Sequence, residues 1–123
     1  MVRRLFGEYN NDDFDVGGEV DAAVDAFSIF SSKWTIEILA TLYIAGDRRF
    51  NEMRRLLRGI SSRTLSDKLT TCVQNGLVNR VVEDGPPIRV VYRLTEHGRE
   101  AGRLLSPLVA YMKLHQGKVV GHK

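Results

Sequence analysis

Apolar residues recur at intervals of three and four along the first part of the chain, which is the spacing of one face of a helix. The pattern predicts a first helix over residues 20–30 and a second over about residues 34–45. Residues 1–18 have weak periodicity and contain several turn formers. We therefore expect these residues to form a flexible N-terminal arm.

Two further helices follow, joined by a turn. The third begins near Phe50 and is closed by Gly59 after about two turns. Ser61 or Ser62 caps the fourth, because a serine oxygen can accept from the unpaired N–H groups of a first helical turn. Asn75 and the glycine after it end this helix. A short helix that turns into a capped helix indicates a helix-turn-helix.

After the fourth helix, the spacing of apolar residues changes from helical toward a repeat of two, which is typical of a strand. Residues 78–83 and 88–94 are rich in β-branched side chains and are separated by residues 84–87, which contain a glycine and two prolines. This predicts a hairpin, the wing of a winged helix-turn-helix. The fold class is therefore mainly α with a small β-hairpin (α+β).

A last helical stretch is capped by Thr95, and Ser106 followed by Pro107 is expected to restart the helix, because proline fits a first turn and disrupts an interior. Its apolar stripe is longer than one small domain should need, so we expect a C-terminal dimerisation helix. The predicted dimer interface is Leu104, Leu105, Leu108, Val109 and Met112. The folded domain would span residues 19–112, with a frayed tail over 113–123.

Composition favours one soluble, cytoplasmic domain. The chain has 123 residues, 43% of them hydrophobic and 27% charged, and it has a single cysteine. No apolar run reaches the roughly 18 residues that a membrane helix needs, and residues 1–10 lack the apolar stretch of a signal peptide. We expect no membrane partner.

The net charge of +3 is modest, but the charges are unevenly distributed. Residues 1–25 carry seven acidic and two basic side chains, whereas residues 48–68 carry seven basic and two acidic ones. A basic block inside the patterned region is typical of a surface that binds a polyanion, although a solvated helical face would have the same composition.

The free face of the fourth helix and the arginines around it form the predicted DNA-binding site. Short polar side chains let a helix lie deep in a major groove, and surrounding arginines can meet phosphates. Arg54 and Arg55 could instead pair with Glu52 or with the acidic N-terminal arm. The expected DNA-binding residues are Ser62, Arg63, Thr64, Ser66, Asp67, Lys68, Arg48, Arg49, Arg80 and Arg89.

Several motifs, taken in order, resemble the HxlR-type winged-helix regulators. The resemblance spans about residues 20–111 and implies a homodimer whose terminal helices pair, with two recognition helices on a pseudo-palindromic operator. It also implies regulation of transcription in response to a cellular signal, which leaves room for a small-molecule effector. The motifs are Lys33-Trp34-Thr35, Arg48-Arg49-Phe50-Asn51-Glu52-Met53-Arg54, Gly59-Ile60-Ser61, Leu65 with Leu69, Gly76-Leu77-Val78, Pro86-Pro87, Val91-Tyr92, and Leu94-Thr95 with Gly98.

The chain departs from that family at a position with chemical consequences. Many members carry a cysteine followed by proline at the start of the first helix, where this chain has Asp21 and Ala22. Cys72 lies instead on the apolar stripe of the fourth helix, where a free cysteine behaves as a small hydrophobe. We therefore expect a structural thiol rather than a redox sensor.

No catalytic or metal-binding constellation is evident in the sequence. The three histidines are not spaced as zinc ligands with cysteine or carboxylate partners, and no nucleophile with a base or glycine-rich phosphate loop is found. We expect no metal, no cofactor and no enzymatic activity. The alternative to DNA binding is a winged-helix module for protein assembly with an acidic partner, because fold alone does not fix function.

Overall fold

The computed structural model describes residues 15–120, and the side chains of residues 15–116. The chain divides into two compact units, Met1–Lys33 and Trp34–Lys123. In the part of the chain described, there are five α-helices, one short 3-10 helix and one two-stranded antiparallel sheet. The predicted α+β class and winged-helix architecture are confirmed.

The described part of the first unit contains helix α1, Val16–Ala26, and a 3-10 helix, Ser28–Phe30. Of the predicted N-terminal arm, residues 1–14 lie outside the described residues. The arm prediction was wrong for residues 16–18, which are helical. The carbonyl of Asp15 accepts the N–H of Glu19 (2.9 Å), and an acidic residue in the first turn is favourable at the positive end of a helix.

The second unit holds helices α2 (Thr35–Ala45), α3 (Phe50–Leu56) and α4 (Ser62–Gln74), strands β1 (Val78–Glu83) and β2 (Arg89–Leu94), and helix α5 (Glu96–Val120). This order confirms the prediction. Periodicity located these elements well because each buries one stripe of apolar side chains.

The core of this unit forms where α2, α3, α4 and the hairpin meet. Its largest fully buried apolar side chains come from all of these elements. Displacing any one helix would therefore expose apolar side chains of the other elements to water. Because burying such a side chain contributes about 1.5–3 kcal/mol, this cluster fixes the orientation of α4. The residues are Ile38, Leu39, Met53, Leu65, Leu69, Cys72 and Val78.

The hairpin is attached to the loop before α3. Val78 pairs with Leu94 at its base and Glu83 with Arg89 near its tip. Beyond the hairpin, the N–H of Arg48 donates to the carbonyl of Tyr92 (3.1 Å), and the N–H of Tyr92 donates to the carbonyl of Arg48 (2.8 Å). These reciprocal bonds join β2 to the segment that leads into the helix-turn-helix.

Helix α5 begins as predicted, because Thr95 Oγ1 accepts the N–H of Gly98 (2.9 Å) and donates to the carbonyl of Gly76 (2.6 Å). The expected restart at Pro107 was wrong, since the helix is continuous through it. One missing N–H costs less than ending a helix whose neighbouring turns still bond and pack. Residues 113–120, which were predicted to belong to a frayed tail, continue this helix. None of the described helices is long and apolar enough to span a membrane.

Candidate nucleic-acid interface

Helix α4 presents one face to the core and the other to solvent. Leu65, Leu69 and Cys72 are buried, and the N–H of Thr64 donates to Ser61 Oγ (3.0 Å), which makes Ser61 the N-cap. Of the two capping serines considered, Ser62 is thus left for another role. The buried stripe and the cap together set which side chains point outward.

The six residues of α4 predicted to bind DNA are brought together on one helix. Ser62, Arg63, Ser66 and Asp67 are exposed, whereas Thr64 and Lys68 are half-buried at the edges of the face. Further along, the hydroxyl groups of the two threonines before Cys72 donate to helix carbonyls four residues earlier. The outward face is therefore polar and largely made of short side chains around Arg63.

Arg48 and Arg49, which were also predicted to bind DNA, lie in the loop before α3 and have structural partners. The side chain of Arg48 donates to the carbonyl of Asp47 (2.7 Å), in addition to the backbone pairing with Tyr92. Glu52 Oε1 accepts the backbone N–H of Arg49 (2.9 Å) and lies 3.9 Å from Arg49 Nε. The described contacts of both arginines thus belong to the start of α3 and to its link with β2, and none of them is with α4.

Glu52 pairs with Arg49 rather than with Arg54 or Arg55. The backbone N–H of Arg49 lowers the pKa of Glu52, and the positive charges of Arg49, Arg48 and Arg55 act in the same direction. Among the described residues, no carboxylate forms an ion pair with Arg54 or Arg55. Their charges therefore lie outside the ion pairs of the described residues.

Three exposed arginines therefore flank the start of α4 without an acidic partner in the described part of the chain. We call Arg54, Arg55 and Arg58 the turn arginines. Arg54 Nη1 donates to Ser62 Oγ (2.9 Å), which joins α3 to the first residue of α4. Sequence reasoning missed this bond, because periodicity carries no information on side chains that meet across a turn.

The wing carries Arg80 and Arg89, which are both exposed. Arg89 lies directly opposite Glu83 in the hairpin, so their side chains leave the ribbon on the same face. At the base, Arg93 forms an ion pair with Asp47 (3.0 Å), a second link between β2 and the loop before α3. The base of the hairpin that carries the predicted wing residues is thus tied to the loop before α3.

The match to known proteins agrees with this geometry. The sequence profile of a family described as HxlR-like helix-turn-helix matches residues 29–119. The chain belongs to this family. YdeP of Bacillus subtilis (strain 168), an HTH-type transcriptional regulator, is 37% identical over 111 residues, which cover 90% of this chain and 80% of YdeP.

Two solved structures are similar to this HxlR-like protein. A protein from Enterococcus faecalis V583, described as a MarR-family transcriptional regulator, has a TM-score of 0.69 at 29% identity, covering 91% of this chain and 98% of that one. The regulator ytfH from Salmonella typhimurium also has a TM-score of 0.69, at 28% identity, covering 81% and 88%. This chain is a helix-turn-helix transcriptional regulator and not an enzyme.

In this regulator the predicted dimer residues of α5 fall on two faces. Leu104, Leu108 and Met112 are exposed, whereas Leu105 and Val109 are half-buried toward α2. A groove of about 170 Å³ lies between these helices. It is lined by Ile36, Ala40, Ile44, Gly102, Leu105, Ser106, Val109, Ala110 and Lys113. Periodicity could not separate the two faces, since it gives the stripe but not the width covered by a neighbour.

The single thiol of this HxlR-like protein is a core group. Cys72 is fully buried, and this burial raises its pKa from 9.0 to about 11, although Lys68 acts in the opposite direction. A thiol in this state is a poor nucleophile at neutral pH. Within the described residues, no group of three or more metal-ligating side chains is close enough to hold an ion.

Proposed function

We propose that this regulator binds double-stranded DNA sequence-specifically, as a homodimer on a pseudo-palindromic operator. Helix α4 enters the major groove, and the wing reaches phosphates or the adjacent minor groove. The observation that carries the proposal is the exposed polar face of α4 beside the turn arginines, which have no acidic partner among the described residues.

Recognition of bases and contact with the DNA backbone are assigned to different side chains. Arg63, exposed in the first turn of α4, can place two donors on guanine O6 and N7. Ser66 and Asp67, one turn further, are short enough to approach base edges without forcing the helix out of the groove. Arg80 and Arg89 on the wing provide positive charge for the DNA backbone.

The homodimer is supported by the exposed apolar face of α5. Leu104, Leu108 and Met112 lie at helical spacing on the side that α2 does not cover, and a contiguous exposed apolar patch is unfavourable in water. Pairing of this face with its copy places two α4 helices about the same two-fold axis. Half-sites of such a dimer are spaced by about one turn of DNA, roughly 34 Å.

The test is to select bound fragments from a pool of the source genome, and then to titrate a selected duplex and a random duplex at low and moderate salt. The proposal expects a palindromic consensus, tighter binding to it, and a steep loss of affinity as salt rises. Failure to bind either duplex at any salt concentration contradicts the proposal. It would favour the alternative of an assembly module for an acidic protein.

A further inference from the structure

The hydrogen bond between Arg54 and Ser62 fixes the polarity of an exposed hydroxyl. A guanidinium can only donate, so Ser62 Oγ is the acceptor at 2.9 Å from Arg54 Nη1. The O–H of Ser62 itself is not donated to any of the described residues. Within the described part of the chain, this O–H therefore remains as a donor at the start of α4.

The neighbouring hydroxyls differ from Ser62 in this respect. Ser61 Oγ donates to Thr64 Oγ1 (2.9 Å) and accepts the N–H of Thr64 (3.0 Å), so the Ser61 hydroxyl is used in both directions within α4 and its cap. Thr64 Oγ1 accepts that bond, but its side chain is half-buried, whereas Ser62 is exposed. Ser62 is therefore the exposed hydroxyl of the described first turn of α4 whose oxygen is held by an arginine.

Arg54 keeps most of its own donors. Its guanidinium has five N–H groups, and one nitrogen bonds to Ser62 while no described carboxylate pairs with the charge. The outward O–H and the remaining N–H groups therefore present several donors and one positive charge at the start of α4. A phosphate, with two unesterified oxygens, matches this set.

We propose that Arg54 and Ser62 hold one DNA phosphate together, with Arg54 as the positioning residue that orients the Ser62 hydroxyl toward it. This inference rests on the proposed function and reassigns Ser62 from reading bases to positioning α4. Because phosphates are the same in every sequence, the pair sets how α4 sits in the groove without selecting a base.

A double-mutant cycle with Arg54→Ala, Ser62→Ala and the double variant tests the pair, with affinity measured by fluorescence anisotropy. Arg54→Ala is expected to weaken binding to operator and random duplex alike by about tenfold, and to lower the salt slope by about one. Ser62→Ala should weaken binding less, and should have little further effect once Arg54 is removed. The matched control is Arg55→Ala, which removes the same charge from the same turn of α3 but breaks no bond to α4.

Unfolding of each variant separates this role from a purely structural one, since a positioning role leaves the unfolding midpoint within error of wild type. The phosphate is located with duplexes in which single phosphates are replaced by neutral methylphosphonates. Neutralising one phosphate in each half-site should abolish the difference in affinity between wild type and Arg54→Ala. Arg54→Lys should recover the salt slope but not the dependence on Ser62, because an ammonium lacks the planar fork.

Three results would overturn the inference while leaving the proposed function intact. These are a coupling of Arg55→Ala to Ser62→Ala as large as that of Arg54→Ala, additive effects of Arg54→Ala and Ser62→Ala in the cycle, or the absence of any phosphate whose neutralisation removes the difference. A wild-type protein that binds no duplex would instead contradict the proposed function itself.

Discussion

Gly102 of α5 lies directly against the ring of Tyr43 of α2. A Cβ atom at Gly102 would be 2.9 Å from Tyr43 Cδ1 and 3.1 Å from Tyr43 Cβ, closer than carbon atoms pack in proteins. One turn earlier, a Cβ at Gly98 would collide with the backbone carbonyl of Leu77. Two glycines four residues apart thus let α5 approach two different neighbours.

Alanine at either glycine should destabilise the protein, although alanine normally stabilises a helix interior by about 1 kcal/mol relative to glycine. Overpacking typically costs about 1–3 kcal/mol. Gly98→Ala should be the worse variant, because a backbone carbonyl cannot rotate away as a tyrosine ring can. Urea unfolding at one fixed protein concentration measures both. A gain in stability for Gly98→Ala would contradict the close approach. Gly102→Ala should cost less stability in a Tyr43→Ala background than in wild type, because the ring that it meets is then absent.

Arg63→Ala and Arg89→Ala should affect DNA binding in different ways. Loss of the guanine contact by Arg63 should remove roughly 1–3 kcal/mol of discrimination and narrow the gap between operator and random duplex. Loss of Arg89 should weaken both duplexes and lower the salt slope by about one, preserving their ratio. Titration of both variants on both duplexes at two salt concentrations distinguishes loss of discrimination from a uniform loss of affinity. An unchanged operator-to-random ratio in Arg63→Ala would remove Arg63 from base reading.

If the proposed homodimer forms through α5, Leu108→Glu should give a folded monomer. Leu108 is 55% exposed on α5, so a charge there is harmless to a single chain but is unfavourable in an apolar seam between two copies. Light scattering should give 13.9 kDa for the variant and twice that mass for wild type. Val82→Glu on β1, where the valine is 52% exposed, is the matched control and should remain dimeric. A dimer that survives Leu108→Glu would place the interface elsewhere.

The sequence was sufficient for elements whose signal is local. The stripe Leu65, Leu69 and Cys72, with a serine cap before it and a glycine after it, defines α4 without any knowledge of its neighbours. The same reasoning failed at Pro107, because a proline signals a break only when nothing else holds the two helical segments in line. Tertiary packing of α5 on α2 decided that case, and periodicity cannot show it.

The site was predictable in composition but not in its bonds. The free face of α4 follows from the stripe opposite it, so the grouping of residues such as Arg63 and Ser66 could be derived. The Arg54 to Ser62 bond and the pairing of Arg48 with Tyr92 could not, since they join residues from different elements. Four arginines lie within four positions of Glu52 in the sequence, and the hydrogen bond from the backbone N–H of Arg49 selects its partner.

Cys72 should behave as a core thiol in both reactivity and pH dependence. Thiol reagents should react slowly with the native protein and rapidly after denaturation. Because the folded pKa of about 11 lies above the ordinary 9.0, the neutral thiol stabilises the fold below pH 9. That stabilisation is lost as pH rises toward 11, by about 2–3 kcal/mol.

The comparison variant for this pH effect is Cys72→Val, which cannot titrate. Unfolding free energies of both proteins, measured from pH 8 upward, should converge or cross as the thiol of the unfolded wild type ionises. Parallel curves would contradict the raised pKa. Peroxide that abolished DNA binding in wild type but not in Cys72→Ser would contradict the structural assignment of the thiol.

The reciprocal backbone bonds between Arg48 and Tyr92 determine where this fold can tolerate changes in chain length. The hairpin tip, residues 84–88, is exposed and lies beyond every bond that ties β2 to the helix-turn-helix. Residues can be inserted there to lengthen the wing without moving α4. An insertion between Gly46 and Arg49 would instead break the Arg48 register and the Asp47 to Arg93 ion pair together. Relatives and engineered variants can therefore differ in wing length far more freely than in the length of that four-residue loop.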